Sequence, residues 1–287
     1  MRMVLWPGSA AVKASAAEVF DYRSNDKISV GAIKFFADGS IQGYTGHLRE
    51  PYFGHPHGST HQADERGYST LTESDKALLV DLVKQGRQVA VHANGDAAID
   101  EVLELLTPLA ETIREQDLRP IVIHAQMTRP EHITKMVALG VTPSYFPSHV
   151  YVWGDRHRDL FIGERATTIS PLQSSLDAGL RFTIHQDSPV VPLAPMRVVQ
   201  TAAERRTFGG RLLGASERVS VEQALRATTI DAAWQMHLEH DRGSLSAGKL
   251  ADFVVLDANP LTVPVASISD IEVLQTWIGG VKRFQRD

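Results

Sequence analysis

Four polar side chains of the sequence lie where an apolar, strand-like run gives way to a loop: Lys34 in AIKFF, His92 in AVHAN, His124 in VIHAQ and Asp187 in IHQDSP. Two imidazoles and a carboxylate, in a chain without cysteine, suit Zn²⁺, with Fe, Mn and Ni as competing ions. A protonated lysine is a poor ligand, but Lys34 would gain carboxylate oxygens if CO₂ converted its amine to a carbamate. These residue types therefore indicate a metal centre with all four side chains as candidate ligands.

Each of the four residues, taken alone, has a simpler explanation. A lone histidine in an apolar strand is more often a core residue than a ligand. A lone lysine in a strand usually reaches water with its amine. Four such residues at the ends of successive strands favour one shared site over four coincidences.

Neighbouring residues are candidates for contacts to the ligands or to a substrate. Because side chains alternate along a strand, Asp38 lies on the face of Lys34, and His185 lies on the face of Asp187. The same count puts His124 on the face of Val122. Tyr145, after a weaker strand, could line a substrate pocket or pack in the core. The supporting candidates are therefore Asp38, His185 and Tyr145.

Strand-like and helix-like segments alternate along most of the chain. The helices begin with capping residues, most end at glycine, and the strands are apolar on both faces. This alternation is typical of parallel βαβ units in a sheet that is covered on both sides or closed into a barrel. In a βα barrel, reactive groups lie at the C-terminal ends of the strands, where the candidate ligands are found. We predict strands over residues 28–37, 88–94, 120–126, 141–146 and 180–187, and helices beginning at Thr72, Asp96, Thr128, Ser170 and Ser220.

The pattern changes after residue 240. The runs GSLSAGKLADFVVLDANP and VLQTWIGGVKRF indicate short strands joined by glycine turns. We therefore predict two parts, a barrel part over residues 1–240 and a small β module over residues 241–287.

Composition excludes several classes of function. The chain has 287 residues, 43% hydrophobic residues, no cysteine and a formal net charge of −5. This mild negative charge gives no basic surface for nucleic acid or an anionic membrane, and no apolar run approaches the roughly 20 residues that span a bilayer. Without cysteine there is no thiol nucleophile, disulfide or cysteine-held zinc. We expect a soluble protein that acts on a small molecule, with the cytoplasm as its default location.

Several runs of the sequence, taken in order, resemble the amidohydrolase superfamily. They are IKFFADGSIQGYTG, VAVHANGDAAID, IVIHAQ and the Asp-Ser-Pro of IHQDSPV, followed by SVEQALRATTIDAAWQM, GSLSAGKLADFVVLDANP and a Thr-Trp-Ile-Gly-Gly strand. The chain is most similar to the YtcJ-like branch, which includes N-substituted formamide deformylase-like enzymes. The similarity runs from about residue 28 to the C-terminus, and the combined order is more specific than any single run.

The resemblance implies an α/β fold, a (β/α)₈ barrel of the TIM type with a β-sandwich, and a metal-dependent hydrolase. The family's fourth-strand lysine, which can be carboxylated, falls on Lys34, and its fifth- and sixth-strand histidines fall on His92 and His124. Its eighth-strand aspartate falls on Asp187, which would be general base toward the attacking water and then proton donor to the leaving amine. The implied reaction is hydrolysis of a non-peptide carbon–nitrogen bond in an N-acyl, N-formyl or cyclic amide, with an ester substrate as the alternative.

The sequence departs from the family pattern before Lys34. Family members carry a His-x-His pair at the end of the first barrel strand, whereas only 33 residues precede Lys34 and none is histidine. The pair His55-Pro-His57 lies in a glycine- and proline-rich loop and is assigned, like His47 and His61, to the surface. We therefore expect the C-terminal part of a larger enzyme, with about five of the eight barrel strands and half of the β-sandwich.

An incomplete barrel has two consequences. The strands that carry Lys34 and Asp187 would be open edges, which an N-terminal segment or a second copy of the chain could cover. Two metal ligands would also be missing. The chain alone would then be a weak catalyst, or a non-catalytic half that needs an N-terminal partner.

Overall fold

Three β-sheets and eleven α-helices make up the computed structural model, which describes residues 2–20, 25, 27–54 and 65–287. The strands are β1 (Met3–Leu5), β2 (Ile28–Val30), β3 (Ile33–Phe36), β4 (Val89–Ala93), β5 (Ile121–His124), β6 (Thr142–Tyr145), β7 (Thr183–Ile184), β8 (Phe253–Leu256), β9 (Val273–Ile278) and β10 (Val281–Gln285). The α-helices are α1 (Ser9–Ala14), α2 (Ala16–Phe20), α3 (Glu73–Lys84), α4 (Asp96–Leu106), α5 (Ala110–Glu115), α6 (Pro130–Leu139), α7 (Ser148–Arg156), α8 (Leu172–Asp177), α9 (Pro195–Glu204), α10 (Val221–Thr228) and α11 (Ile230–Gln235).

The largest sheet contains five parallel strands in the order β3-β4-β5-β6-β7, which is also their order along the chain. At least one helix joins each strand to the next, so successive βα units add their strands to the same edge. The register places Ala93 beside His124 and His124 beside Tyr145, so the C-terminal ends of the strands lie together. The predicted α/β fold, with five barrel strands and a small C-terminal sheet, is confirmed.

The two faces of this sheet have different surroundings. On one face, Val91 and Val122 pack in a large core cluster with Val102 and Leu103 of α4. On the other face, Ala90 of β4 packs in a smaller cluster with Ile121, Ile123, Trp6 and Met236. The first face is the helix-covered exterior of the partial barrel, and the second is its interior.

Local sequence signals account for where the helices begin and end. The Thr72 side chain accepts the N–H of Asp75 at 3.1 Å and begins α3, as predicted. The long helix predicted after the second strand is interrupted at Pro108, where a 3₁₀ turn over Thr107–Leu109 separates α4 from α5. The last predicted helix is divided into α10 and α11 at Thr229, whose φ of −124° and ψ of −93° are not helical. In the described part of the chain, none of the helices is long and apolar enough to cross a bilayer.

The first predicted strand, residues 28–37, differs from the structure. It is two strands, β2 and β3, because the N-terminal segment runs beside both of them. β1 pairs in parallel with β2, and the Leu5 carbonyl accepts the N–H of Gly31 at 2.9 Å. The Pro7 carbonyl then accepts the N–H of Lys34 at 2.8 Å. The edge of β3 that we expected to be open is therefore partly covered by the N-terminal segment of the same chain.

The C-terminal sheet is small and antiparallel, with β9 between β8 and β10. The Phe253 and Trp277 rings stack across it, with their centroids 5.6 Å apart. Arg2 binds Asp252 at 2.9 Å and so links this sheet to the N-terminal segment. The domain boundary near residue 240 stays a prediction.

Candidate metal centre

Three histidines from three parallel strands meet at the C-terminal edge of the five-stranded sheet. His92 is the next-to-last residue of β4, His124 ends β5, and His185 directly follows β7. The His92 Nδ1 atom lies 3.1 Å from His124 Nε2, and the His124 Nδ1 atom lies 3.1 Å from His185 Nε2. His124 is therefore the central ring, with one nitrogen directed toward each of the other two.

Strand alternation alone does not direct His124 to this point. Its neighbour Val122 belongs to the helix-covered face, and regular alternation would send His124 to that same face, contrary to where its ring is found. His124 instead has a left-handed backbone with φ of 68°, which breaks the strand geometry and turns the ring toward the interior. Asp187 is also left-handed, with φ of 53°. Such strained conformations in non-glycine residues concentrate at functional sites.

The protonation of His92 follows from its contacts. Its Nε2 atom lies 2.8 Å from the carbonyl oxygen of Gly39 and 3.5 Å from the carboxylate of Asp38. A third neighbour, the Nδ2 atom of Asn94, lies 3.0 Å away and is a donor, but it donates to the same Gly39 carbonyl at 2.7 Å. The Gly39 carbonyl can only accept and makes the shorter contact with Nε2, so we assign the proton to Nε2, which donates to Gly39. The lone pair is then on Nδ1, which is the atom that faces His124.

Burial keeps the imidazoles of this centre uncharged. Burial lowers the pKa of His92 to about 4 and that of His185 to about 3, and the nearby Lys34 charge acts in the same direction. Burial also lowers the pKa of His124, which is 4% exposed. Neutral imidazoles are the form in which histidine binds metal ions.

Lys34 and Asp187 lie beside the histidines and influence each other. Burial lowers the pKa of Lys34 to about 8, while the charge of Asp187 opposes that change. Burial raises the pKa of Asp187, while the charge of Lys34 opposes it. The ligand atoms of His124, His185 and Asp187 all lie within 4.8 Å of one another, and Asp187 is the most exposed of the three.

Asp38 holds two loops together next to His92 through hydrogen bonds to their backbone. Its carboxylate accepts the backbone N–H groups of Gly95 at 2.7 Å, Asn94 at 2.9 Å and His47 at 3.0 Å. Burial raises the pKa of Asp38 to about 7, and these three N–H donors act in the opposite direction. Asp38 therefore fixes the loop after β3 against the end of β4, next to the Nε2 atom of His92.

Tyr145 lies apart from this group. Its hydroxyl forms a 2.8 Å hydrogen bond with Ser175 of α8, and its ring contacts Phe182 within the helix-covered core. The physical reason is alternation along β6, because Ser144 faces the interior and reaches His185, so Tyr145 must face outward. The structure brings Lys34, Asp38, His92, His124, His185 and Asp187 together and leaves Tyr145 on the other face.

Two further histidines lie close to the centre, and the sequence analysis did not single them out. The His149 ring on α7 lies 5.8 Å from the His124 ring and 5.9 Å from the His157 ring, centroid to centroid. Both are at most 2% exposed, and no described residue bonds to Nδ1 of His149. The available signal was their position, since both follow the fourth predicted strand at the edge that carries the other candidates. His55, His57 and His61 lie outside the described residues.

The residues of the centre fit a divalent cation. A tetrahedral ion bound to two imidazoles at about 2.0 to 2.1 Å separates their nitrogens by about 3.3 Å, and the observed separation of His92 Nδ1 from His124 Nε2 is 3.1 Å. The Asp187 carboxylate lies within 4.8 Å of ligand atoms of His124 and His185 and adds an oxygen donor to the imidazole nitrogens. This donor set suits zinc and its first-row neighbours.

Comparison with known proteins agrees with this chemistry. A sequence model of the amidohydrolase family matches residues 4–283. The chain belongs to the amidohydrolase family. Its relatives include N-substituted formamide deformylase of Arthrobacter pascens, which is 31% identical over 73% of this chain and 39% of that protein. The putative amidohydrolase YtcJ of Bacillus subtilis is 28% identical over 92% of this chain and 49% of that protein.

Other proteins similar to this chain carry different names. The protein LONG AFTER FAR-RED 3 of Arabidopsis thaliana is 33% identical over 89% of this chain and 43% of that protein. A solved structure of an uncharacterized metal-dependent hydrolase from Pyrococcus horikoshii has the same fold, with a TM-score of 0.76, 21% identity, and coverage of 93% of this chain and 52% of that one. This amidohydrolase chain therefore spans less than half the length of each curated relative named above.

Proposed function

We propose that this amidohydrolase chain contributes the larger part of a site that hydrolyses a non-peptide carbon–nitrogen bond with a divalent cation, preferably zinc. The proposed ligands are His92, His124, Asp187 and a carboxylated Lys34. The observation that carries the proposal is the 3.1 Å approach of two neutral imidazole nitrogens, His92 Nδ1 and His124 Nε2. A cation that accepts both lone pairs would turn this contact from repulsive to favourable.

Asp187 is the proposed general base and acid. When bound, the cation would lower the pKa of a water molecule and polarise the substrate carbonyl. Asp187 takes the proton of the attacking water and returns it to the nitrogen of the leaving amine. Burial raises the pKa of Asp187, which improves its match to both transfers.

Lys34 is the proposed site of carboxylation. Burial lowers the pKa of Lys34 to about 8, so a fraction of the amine is unprotonated near neutral pH. An unprotonated amine adds to CO₂ and releases one proton, and the product is a carbamate anion. That anion supplies oxygen ligands where the lysine ammonium could not.

The proposed substrates are small N-acyl, N-formyl or cyclic amides. The support is the name of the deformylase relative, which is 31% identical to this chain. An ester is the second substrate class, because the same residues would polarise either carbonyl. A panel of formamides, cyclic amides and aryl esters would separate the two classes.

The test is metal analysis of the active enzyme and of matched variants. His92→Ala should abolish retention of the cation and hydrolysis together, because it removes one of the two facing nitrogens. His240→Ala is the control, since His240 is exposed and remote from β4 in sequence. Active enzyme without a bound ion would contradict the proposed function.

A second candidate is that this chain is an assembly half that is inactive alone. The chain spans 39% to 49% of its curated relatives, and among the described strands β7 has a partner only on the side of β6. An N-terminal part that carries a His-x-His pair would pair with β7 and supply further ligands. Metal content and hydrolysis of the chain alone, and then with an added N-terminal half of a relative, distinguish the two candidates.

A further inference from the structure

A chain of hydrogen-bonded side chains runs from the metal centre down through the barrel interior. His185 Nδ1 lies 2.9 Å from the Ser144 hydroxyl, which lies 2.8 Å from the Thr183 hydroxyl. The Thr183 hydroxyl lies 2.9 Å from Oε1 of Gln235, the last residue of α11. Ser144, Thr183 and Gln235 are at most 6% exposed, so water does not substitute for these bonds.

The amide of Gln235 determines the direction of donation in this series of hydrogen bonds. The Gln235 Nε2 atom lies 3.3 Å from the carbonyl oxygen of Pro143, which can only accept. Nε2 also lies 3.1 Å from the Thr142 hydroxyl, and that hydroxyl donates its own proton to the Arg181 carbonyl at 2.9 Å. Both neighbours require the NH₂ group on this side, so Oε1 must face Thr183.

Proton counting then determines each bond above Gln235. A hydroxyl has one proton to donate, and Oε1 can only accept, so Thr183 donates to Gln235. Thr183 must then accept from Ser144, and Ser144 must accept from His185. The reverse direction would leave the buried Oε1 of Gln235 without a donor, which is costly. His185 therefore carries its proton on Nδ1.

The tautomer of His185 in turn determines the tautomer of His124, which is one of the proposed ligands. With its proton on Nδ1, neutral His185 has its lone pair on Nε2, which lies 3.1 Å from His124 Nδ1. His124 then donates from Nδ1, and its own lone pair is on Nε2, facing His92. We propose that Ser144, Thr183 and Gln235 are positioning residues that fix the tautomer of His185 and, through it, present the His124 Nε2 lone pair to the cation. This inference rests on the proposed function for the identity of the ligand.

The first test reads the tautomers directly in the metal-free chain. Long-range ¹H–¹⁵N NMR spectra of protein labelled with ¹⁵N-histidine distinguish a protonated from an unprotonated ring nitrogen. We expect both His124 and His185 to be protonated on Nδ1 and unprotonated on Nε2. A proton on Nε2 of His124, as expected if His185 Nε2 and His124 Nδ1 were the two ligand atoms, would overturn the proposal, and so would a proton on Nε2 of His185.

The second test interrupts the series of hydrogen bonds that orients His185. Thr183→Val keeps the volume of the side chain and removes the hydroxyl, so that Ser144 becomes free to donate to His185. We expect a population of the Nε2–H tautomer of His185 and a loss of zinc affinity of about 10- to 100-fold, as for other groups that orient a ligand. Zinc affinity is measured by competition with a chromogenic chelator.

Two companion variants make the second test decisive. Thr201→Val removes a buried hydroxyl that donates only within its own helix, to Arg197 at 2.7 Å, and should change neither reading. Ser144→Ala should act like Thr183→Val and replaces it if the latter does not fold. Equal tautomers and equal zinc affinity in Thr183→Val and Thr201→Val would overturn the proposal. Zinc binding without hydrolysis of any amide or ester, even after addition of an N-terminal half of a relative, would contradict the proposed function and leave the positioning role intact.

Discussion

Two groups of histidine and charged side chains, one partly exposed and one buried, differ in whether their hydrogen-bond donors and acceptors are matched. In the Arg49 cluster (Arg49, Asp100, Glu131 and His132), Arg49 donates to both oxygens of Asp100 at 2.5 Å and to Glu131 at 2.7 Å. His132 donates from Nε2 to Asp100 at 3.0 Å and accepts the Arg129 N–H on Nδ1 at 3.1 Å. Arg49 Nη2 and His132 Nε2 are two donors 3.2 Å apart, but both bind the same carboxylate oxygen of Asp100, so each donor in this cluster has an acceptor. In the metal centre, His92 Nδ1 and His124 Nε2 lie 3.1 Å apart, and the tautomers that we infer for the two rings make both nitrogens acceptors.

This difference separates a structural histidine from a candidate ligand. A cluster with matched donors and acceptors is electrostatically complete, and it stabilises the contact of α4 with α6. A cluster with facing lone pairs is complete only when a cation lies between them. Residue type and burial alone would not distinguish His132 from His124, since both are neutral, buried and at the end or start of an element.

Removal of the central histidine should have the largest effect. His124→Ala removes the ring that contacts both other histidines, so we expect loss of cation retention and a fall in hydrolysis of at least about a thousandfold. His132→Ala is the matched variant from the Arg49 cluster, and it should retain the cation while losing stability. Metal analysis and steady-state kinetics measure both, and retention of the cation by His124→Ala would break the comparison.

The metal-free protein should lose stability as the pH falls from about 6.5 to about 4. Burial lowers the pKa of His92 to about 4, so in this window the unfolded state binds a proton that the folded state does not. The contribution of His92 to the free energy of unfolding is therefore fully present above the pKa of the unfolded state and declines as the pH falls below it. His92→Asn should reduce the slope by up to about 1 kcal/mol per pH unit. Urea unfolding across this range measures it, and an unchanged slope would contradict the assignment.

Disruption of the Arg49 cluster should affect stability alone. Asp100→Ala leaves Arg49 and His132 without their shared acceptor, and we expect a loss of about 1 to 2 kcal/mol in the free energy of unfolding. Burial raises the pKa of Asp100, but the hydrogen bonds from Arg49 and His132 outweigh burial and hold this pKa below its ordinary 3.8. The loss should therefore be constant at neutral pH and shrink as the pH falls below about 4. Altered cation affinity in this variant would show that the two clusters are coupled.

The smallest effect is expected on the outer face of β6. Tyr145→Phe removes a hydroxyl bonded to Ser175, whose own hydroxyl still donates to the Pro171 carbonyl at 2.7 Å. We expect a loss of at most about 1 kcal/mol in stability and no change in hydrolysis. Thermal unfolding and kinetics test this, and a tenfold fall in hydrolysis would assign Tyr145 to the site after all.

The sequence was sufficient to predict the parts that depend on local pattern. Apolar runs separated by capped helices predicted five parallel strands, and alternation put His185 and Asp187 on one face. These features depend on residues that are close together in the sequence, so the sequence alone is enough to predict them. The N-terminal strand β1 was missed because Met3–Leu5 is short and is a strand only through its pairing with β2.

The remaining features depend on backbone breaks and distant partners. Alternation assigned His124 to the face of Val122, and only its left-handed φ of 68° brings the ring to the interior. The partner that orients His185 is Gln235, 50 residues farther along the chain, in a segment where the sequence indicates only a helix. Tyr145 was selected for its position in the sequence, whereas its face follows from alternation with Ser144, whose contact with His185 is visible only in the folded chain.

The order of strands in the sheet implies a sequence of events during synthesis. Each βα unit joins the edge left by the one before it, so the sheet can grow as the chain leaves the ribosome. Gln235 lies on α11 and emerges after all five parallel strands. A nascent chain released before α11 would lack the Gln235 acceptor, so His185, and through it His124, would have no preference between their two proton positions. Maturation of the centre would then follow assembly of the parallel sheet and be coupled to the docking of a single helix.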